Sequence, residues 1–321
     1  MVAPKTWWLK LRLFLLTTVL FGIIYALITV VGYLLGVGNF LVFAFMAIGI
    51  TVFQYLIGPS IVGWSMRVKY VDEKEEPELH EMIGKLAKKA GLPKPRIGIS
   101  PSPVPNAFAF GRWKSDGRVC VTQGIMKLLS KKELEAVLGH EISHLKNRDV
   151  VFMTIISVIP LIAWHLAWNS FFSRDNRGSF ALVGVFAFVV YFLTNFLVLY
   201  ASRIREYYAD AGSVSLGHEP HFLASALYKL VYGSARMPKS AIKEVEGVKA
   251  FFANDISKAH HEIIELQQLD LDKSGHIDEH ELKQLEGKHV KLNTVDRLME
   301  AFSTHPNMLR RIKRLSEYKA K

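Results

Sequence analysis

Cysteine is almost missing from this chain: Cys120 is the single one among 321 residues. An internal disulfide is therefore excluded, and the composition fits a reducing compartment. A structural zinc site of the closed, cysteine-rich kind is excluded with it. Charge is missing as well, but only in places. Two runs near the start, RLFLLTTVLFGIIYALITVVGYLLGVG from Arg12 and NFLVFAFMAIGITVFQYLIG from Asn39, are almost free of it. So are VVFMTIISVIPLIAWHLAW from Val150 and FALVGVFAFVVYFLTNFLVLY from Phe180. Each run holds about twenty residues, enough at about 1.5 Å per residue to cross a hydrocarbon core roughly 30 Å thick. Soluble core helices seldom run so long without a charged face.

What is present reads as a multi-pass membrane protein. Spans are expected at about 12–35, 39–58, 150–170 and 180–202. The first run is too long for a signal peptide, and no small-residue cleavage site precedes the second, so it reads as an uncleaved anchor. Lys5, Lys10 and Arg12 precede the first span, the Gly36 to Asn39 link is uncharged, and Arg67 and Lys69 follow the second. Both ends of that hairpin, and the polar segment after it, are expected on the cytoplasmic side of the cell membrane. The link with Arg174, Asp175 and Arg177 argues mildly the other way, and the basic C-terminal stretch restores the balance. Topology and anionic lipid then account for much of the net charge of +11, leaving no call for nucleic acid. The organisation is a membrane hairpin over 1–65, a polar half over 66–149, a second hairpin over 150–203 and a polar half over 204–321.

In the first polar half, PELHEMIGKLAKKAGLPKP has helical periodicity ended by Gly91 and Pro93, and RIGIS reads as a short strand. NAFAFGR and RVCVTQGI flank WKSDG, whose Asp-Gly pair signals a hairpin. Ser130 then starts a helix, with Glu133 completing a capping box. That helix carries GHEISHLK, close to the third span. Residues four apart share a helix face, so His140 and His144 can aim at one ion while Glu141 reaches a water beside it. This is the HExxH pattern of zinc hydrolases. Such zinc needs a third protein ligand and an open fourth position. Past the fourth span the helical continuation SRIREYYADAG carries Glu206 and Asp210 on one face. Two antiparallel spans return the chain to the side it left, which brings Glu206 to the histidines as third ligand. Asp210, one turn on, is placed to accept a ring N–H of a ligating histidine.

These residues, with PNAFAFGR at Pro105, VTQGIMKLLSKKELEAVLGHEISHLKNRD at Val121 and STHPNMLRRIKRL at Ser303, resemble the HtpX type of membrane-bound zinc metalloproteases, a gluzincin pattern covering most of the chain. The resemblance implies four transmembrane helices and a cytoplasmic α+β zincin-like protease domain, one zinc ion and Glu141 as general base. It implies His305 as a donor to the developing oxyanion; alternatively His305 is a surface residue before Pro306, and Arg310 or Arg311 is a further candidate donor. It also implies broad action on misfolded or damaged membrane proteins in stress response and quality control. Asn106, Ala107 and Phe108 form the expected edge strand, to which a peptide adds through its backbone; the alternative is an ordinary hairpin strand.

One segment departs from that pattern. In DLDKSGHIDEHE, residues 270–281, Asp270, Asp272, Ser274, Asp278 and Glu281 fall at EF-hand loop positions, with Gly275 at the turn and His276 offering a backbone carbonyl. Calcium is expected there, bound weakly by a lone hand; an acidic surface turn is the alternative. Two other functions stay open: a calcium-sensing membrane module with a non-catalytic zinc site, and a prenyl-protein protease, which would have more spans.

Overall fold

The structure, a computed structural model, describes residues 40–172, 178–238, 266–287 and 294–318, together with Leu15, Val19, Ile23, Glu262 and Ile263. The expected first span, the tip of the second hairpin and the paired His260 and His261 lie outside the described residues. The second apolar run forms helix α1, Phe40–Ser65. The third and fourth form α5, Asp149–Phe172, and α6, Gly178–Ser215. Among the described residues two stretches are long and apolar enough to cross a membrane, Asp149–Trp168 and Ala181–Ser215. The pair packs through Ile156, Ile159, Ala163, Val183, Ala187 and Val190 and leaves Leu182, Phe186, Val189 and Leu193 facing outward. An apolar outer surface of this kind is what a bilayer requires and water penalises. His165 lies in α5 between Trp164 and Trp168, whose rings stack 5.6 Å apart.

A small mixed sheet stands beside α1. Its strands are β1, Lys69–Tyr70, β2, Arg96–Ser100, β3, Ala107–Phe110, and β4, Arg118–Thr122, in the order β1-β2-β4-β3. β2 and β4 run parallel; the other pairs are antiparallel. The hairpin expected around WKSDG is present, with a 3-10 turn at Lys114–Asp116. Its second strand is shorter than the sequence suggested, because the Thr122 side chain accepts the Ile125 N–H and starts a helix, α3, Gln123–Leu128. The period-2 pattern turns Ala107, Val119 and Val121 to the main core and Phe108, Phe110 and Cys120 toward Val62 and Met66 of α1.

The main core lies between the sheet and helices α2, Pro77–Ala90, α4, Lys131–Asn147, α7, Pro220–Ala235, and α10, Met308–Ser316. α2 ends where expected, at Gly91 in the left-handed conformation. At the start of α4 the Ser130 N–H and hydroxyl both donate to Glu133, which also accepts from Ser225 and Lys229 of α7. This one buried carboxylate therefore caps one helix and ties it to another. Two shorter helices, α8, Glu279–Gln284, and α9, Thr294–Ala301, complete the described residues.

Candidate metal centre

α4 and α6 cross at almost no distance, and glycine makes the crossing possible. A Cβ on Gly212 would lie 1.9 Å from the Ser143 Oγ, and one on Gly139 would lie 2.8 Å from the His218 ring. The Ser213 hydroxyl donates to the Ala136 carbonyl at 2.6 Å, pinning the contact. With the backbones this close, the HEISH face of α4 meets the Glu206 and Asp210 face of α6. α6 extends past the apolar stretch expected to end near 202, and it is that extension which carries both acids.

His140, His144 and Glu206 each bring a ligating atom within 4.8 Å of the others. The two Nε2 atoms are 3.1 Å apart. Glu206 places Oε2 3.5 Å from the first and Oε1 3.6 Å from the second. Ligands at zinc distances on a tetrahedron are separated by about 3.3–3.5 Å, so the two imidazoles and the Glu206 carboxylate are spaced for one ion. The rings are held in the required orientation. Nδ1 of His140 faces Asp210 Oδ1 at 2.9 Å, and Nδ1 of His144 faces Asp149 Oδ2 at 2.5 Å. With both Nδ1 positions facing carboxylates, both Nε2 lone pairs turn toward one point, which only a cation makes favourable. Without a metal the cation at that point is a proton: burial lowers His140, but its bonds to Asp210 and Glu206 outweigh this and push it up to about 9, a proton that a bound metal would displace. Burial and the neighbouring His140 charge push His144 down to about 4. The residues fit zinc.

Glu141 is buried beside the pair. Burial raises its pKa, against the pull of His140 and His144, and its carboxylate accepts the Ala109 N–H. β3 thus touches the candidate base directly. It is also the edge of its sheet: no strand pairs with its outer side among the described residues. Asn106 O accepts the Thr122 N–H, so by antiparallel alternation Phe108 pairs with Cys120 while the backbone groups of Ala107 and Ala109 point away from β4. Of the three expected edge residues, Ala107 has this outward backbone. Asn106 and Phe108 bond inward, and Ala109 was not singled out by the sequence.

His305 arrives from the C-terminal side, its Nε2 3.8 Å from Glu206 Oε1 and its Nδ1 3.0 Å from the Thr304 hydroxyl. Between the two arginines left open, geometry distinguishes clearly. Arg311 is fully buried, forks onto both Asp210 oxygens at 3.0 and 2.7 Å and lies 3.1 Å from Glu206 Oε2. Arg310 turns outward to Glu300 at 2.7 Å. Asp149 and Arg205, which pair with each other behind His144, were not singled out. No residue type signals them: Asp149 opens α5 beside His144 because Arg148 ends α4 in the left-handed conformation.

The model of "Peptidase family M48" matches residues 73–319 of the chain. The chain belongs to peptidase family M48. A "Protease HtpX homolog" of Methanothermobacter thermautotrophicus is 55% identical over 227 residues, 71% of this chain and 87% of that protein. One of Moorella thermoacetica is 36% identical over 313 residues, 95% of this chain and 92% of that protein. A solved structure of S. mikatae Ste24p superposes with a TM-score of 0.49 at 18% identity, covering 98% of this chain and 67% of that one, too loosely to say more. As an M48 member the protein is an HtpX-type zinc metallopeptidase, and the His140, His144 and Glu206 group is consistent with the family's zinc site.

Proposed function

We propose that the protein is a multi-pass membrane endopeptidase that cuts cytoplasmic segments of misfolded or damaged membrane proteins, with His140, His144 and Glu206 holding its zinc. The observation that carries this reading is the meeting of those three residues beside a buried glutamate and an open strand edge. Bound zinc supplies a water of lowered pKa and polarises the scissile carbonyl. Glu141, raised by burial, takes a proton from the attacking water and returns it to the leaving amine. His305 donates to the oxygen on which charge develops, from its place beside Glu206. Asp210, Asp149 and Arg311 fix the ligands and do not touch substrate. An extended peptide pairs with the outward backbone groups of Ala107 and with the Ala109 carbonyl, the Ala109 N–H being held by Glu141, a mode of recognition with little regard to side chains. The basic segments flanking the apolar runs favour a cytoplasmic site. In purified, lipid-reconstituted protein, Glu141→Gln should cut an unfolded substrate about 10²–10⁴-fold more slowly while keeping its zinc. Equal cleavage by the variant would end the enzyme assignment of these residues.

A second reading concerns residues 270–281. Asp270, Asp272 and Glu281 gather ligand oxygens within 4.8 Å, and Gly275 makes the turn at a φ of 82°. We propose weak calcium binding here, as a stabilising or regulatory element between Glu206 and His305. Calcium should raise the melting temperature of the parent and not of an Asp270→Ala/Glu281→Ala variant; identical melting and identical activity in both would remove the idea.

A further inference from the structure

Helix α9 presents an apolar ridge that nothing in the proposed reaction uses. Leu298 and Phe302, one turn apart, are 62% and 60% exposed. The Phe302 ring meets Phe196 of α6 at 4.9 Å, edge to face. Phe196 belongs to the Ala181–Ser215 stretch, whose neighbouring outward residues Phe192 and Leu193 are apolar and exposed. Along α6 this apolar surface gives way to Tyr200 and then Arg203, the order of a bilayer boundary. The Phe302 ring therefore reaches Phe196, which sits about 6 Å to the apolar side of Tyr200, four residues away at 1.5 Å each. Behind the ridge lies a cavity of about 1030 Å³ between α6, α9 and α10, whose walls carry five basic and three acidic side chains. Glu300 is taken up by Arg310, and Glu317 by Lys313. The surplus is positive, and Arg297 is exposed at its rim.

We propose that α9 is an interfacial anchor for anionic phospholipid: Leu298 and Phe302 lie among the acyl chains, and the basic cavity behind them receives the headgroup phosphate. Both halves of such a ligand are matched in the arrangement that a bilayer imposes, apolar side toward the α6 span and cationic side toward water. The anchor has a direct line to the candidate site. Arg203 donates to the carbonyls of Glu300, Ala301 and Ser303 at 2.9, 3.1 and 2.8 Å, fixing the C-terminal end of α9. The next residues, Ser303 to His305, place His305 against Glu206. Seating α9 in lipid thus also seats His305. The proposal rests on the membrane reading of α6, but not on catalysis.

The test uses full-length protein with a thiol-reactive fluorophore at Leu298→Cys, and at Leu271→Cys as a control 57% exposed. The native Cys120 is buried, with its thiol pushed up to about 12, and stays unlabelled. In nanodiscs of phosphatidylcholine with phosphatidylglycerol, lipids carrying acyl-chain quenchers should quench the label at 298 several-fold more than at 271, and aqueous iodide should do the reverse. Pure phosphatidylcholine should weaken the lipid quenching, soluble glycerol phosphate should not restore it, and Arg297→Glu should remove the phosphatidylglycerol dependence. Equal quenching at the two positions, or indifference to phosphatidylglycerol, would overturn the proposal. So would recovery with soluble glycerol phosphate, which would make the cavity a site for free phosphate. Shielding from iodide without lipid quenching, accompanied by cross-linking between copies, would assign the ridge to a second copy and equally overturn it.

Discussion

Among the described residues, two places gather three ligating side chains within 4.8 Å, and they are built in opposite ways. In the loop of residues 270–281, nearly every support is local; the exception is the Tyr228 hydroxyl of α7, which donates to Asp270 at 3.1 Å. The Asp270 oxygens accept the N–H groups of Ser274 and Gly275, and Glu281 accepts those of Leu271 and Asp278. In the histidine centre almost every support comes from another helix: Asp210 holds His140, Arg311 holds Asp210 and Glu206, and Asp149 holds His144 after a left-handed turn. The loop satisfies its acids mostly with its own amides. The centre needs the whole fold, because its buried charges are balanced only by partners on other helices. Substitutions should therefore propagate in the centre and stay confined in the loop.

The strongest break of that contrast is Arg311→Met. It leaves Glu206 and Asp210 buried without their shared cation, and should destabilise the protein by about 3–5 kcal/mol and release its metal. Thermal melting and metal content read both effects. Arg311→Lys should rescue only part, since an ammonium cannot fork onto Asp210 while reaching Glu206. Should Arg311→Met melt like the parent, the centre would not depend on long-range support. Next in size is Asp210→Asn, which weakens the partner of His140 Nδ1 without changing a ligand; metal affinity and activity should fall about 10–100-fold. Asp149→Asn should do the same through His144, and an unaffected metal titration in both would separate the ligands from their supports.

A smaller effect tests the crossing itself. In Gly212→Ala the new methyl meets Ser143, so α4 and α6 must part; the cost should be about 1–3 kcal/mol, with a matching loss of metal affinity. Adding Ser143→Gly removes the clash and should return most of both. Failure of that rescue would mean that close approach does not set the ligand spacing.

The same division between local and remote support governs what the sequence discloses. HEISH is legible because a helix fixes residues four apart, and the capping box at Ser130 is legible because it spans a single turn. Glu206 is reachable one step further, since antiparallel helices return to the same side. Asp149 is not, because its position depends on a left-handed Arg148, and nothing in the residue type announces that conformation. Arg310 and Arg311 differ only in which way α10 faces, a matter of packing against α6 and α7. β3 as an edge with Ala107 and Ala109 outward needs the sheet order and register, which a hairpin signal does not contain. Residues 270–281 are the converse case: their turn at Gly275 reads directly from the spacing, and the structure adds a capping box between Asp278 and Glu281.

The smallest expected effect lies in that loop. Asp272 is exposed, and its carboxylate accepts the Ser274 N–H from within the same turn. Without calcium, Asp272→Asn keeps an acceptor at that position and loses only a solvated charge, so stability should change by less than about 0.5 kcal/mol and cleavage not at all. Calcium binding, by contrast, loses one hard anionic oxygen at loop position 3, and the calcium-dependent rise in melting temperature should shrink or vanish. A change in calcium-free cleavage would show that the loop and the histidine centre are coupled through the fold rather than independent. A rise equal to the parent's would show that calcium, where it stabilises the protein, does so somewhere other than on Asp272.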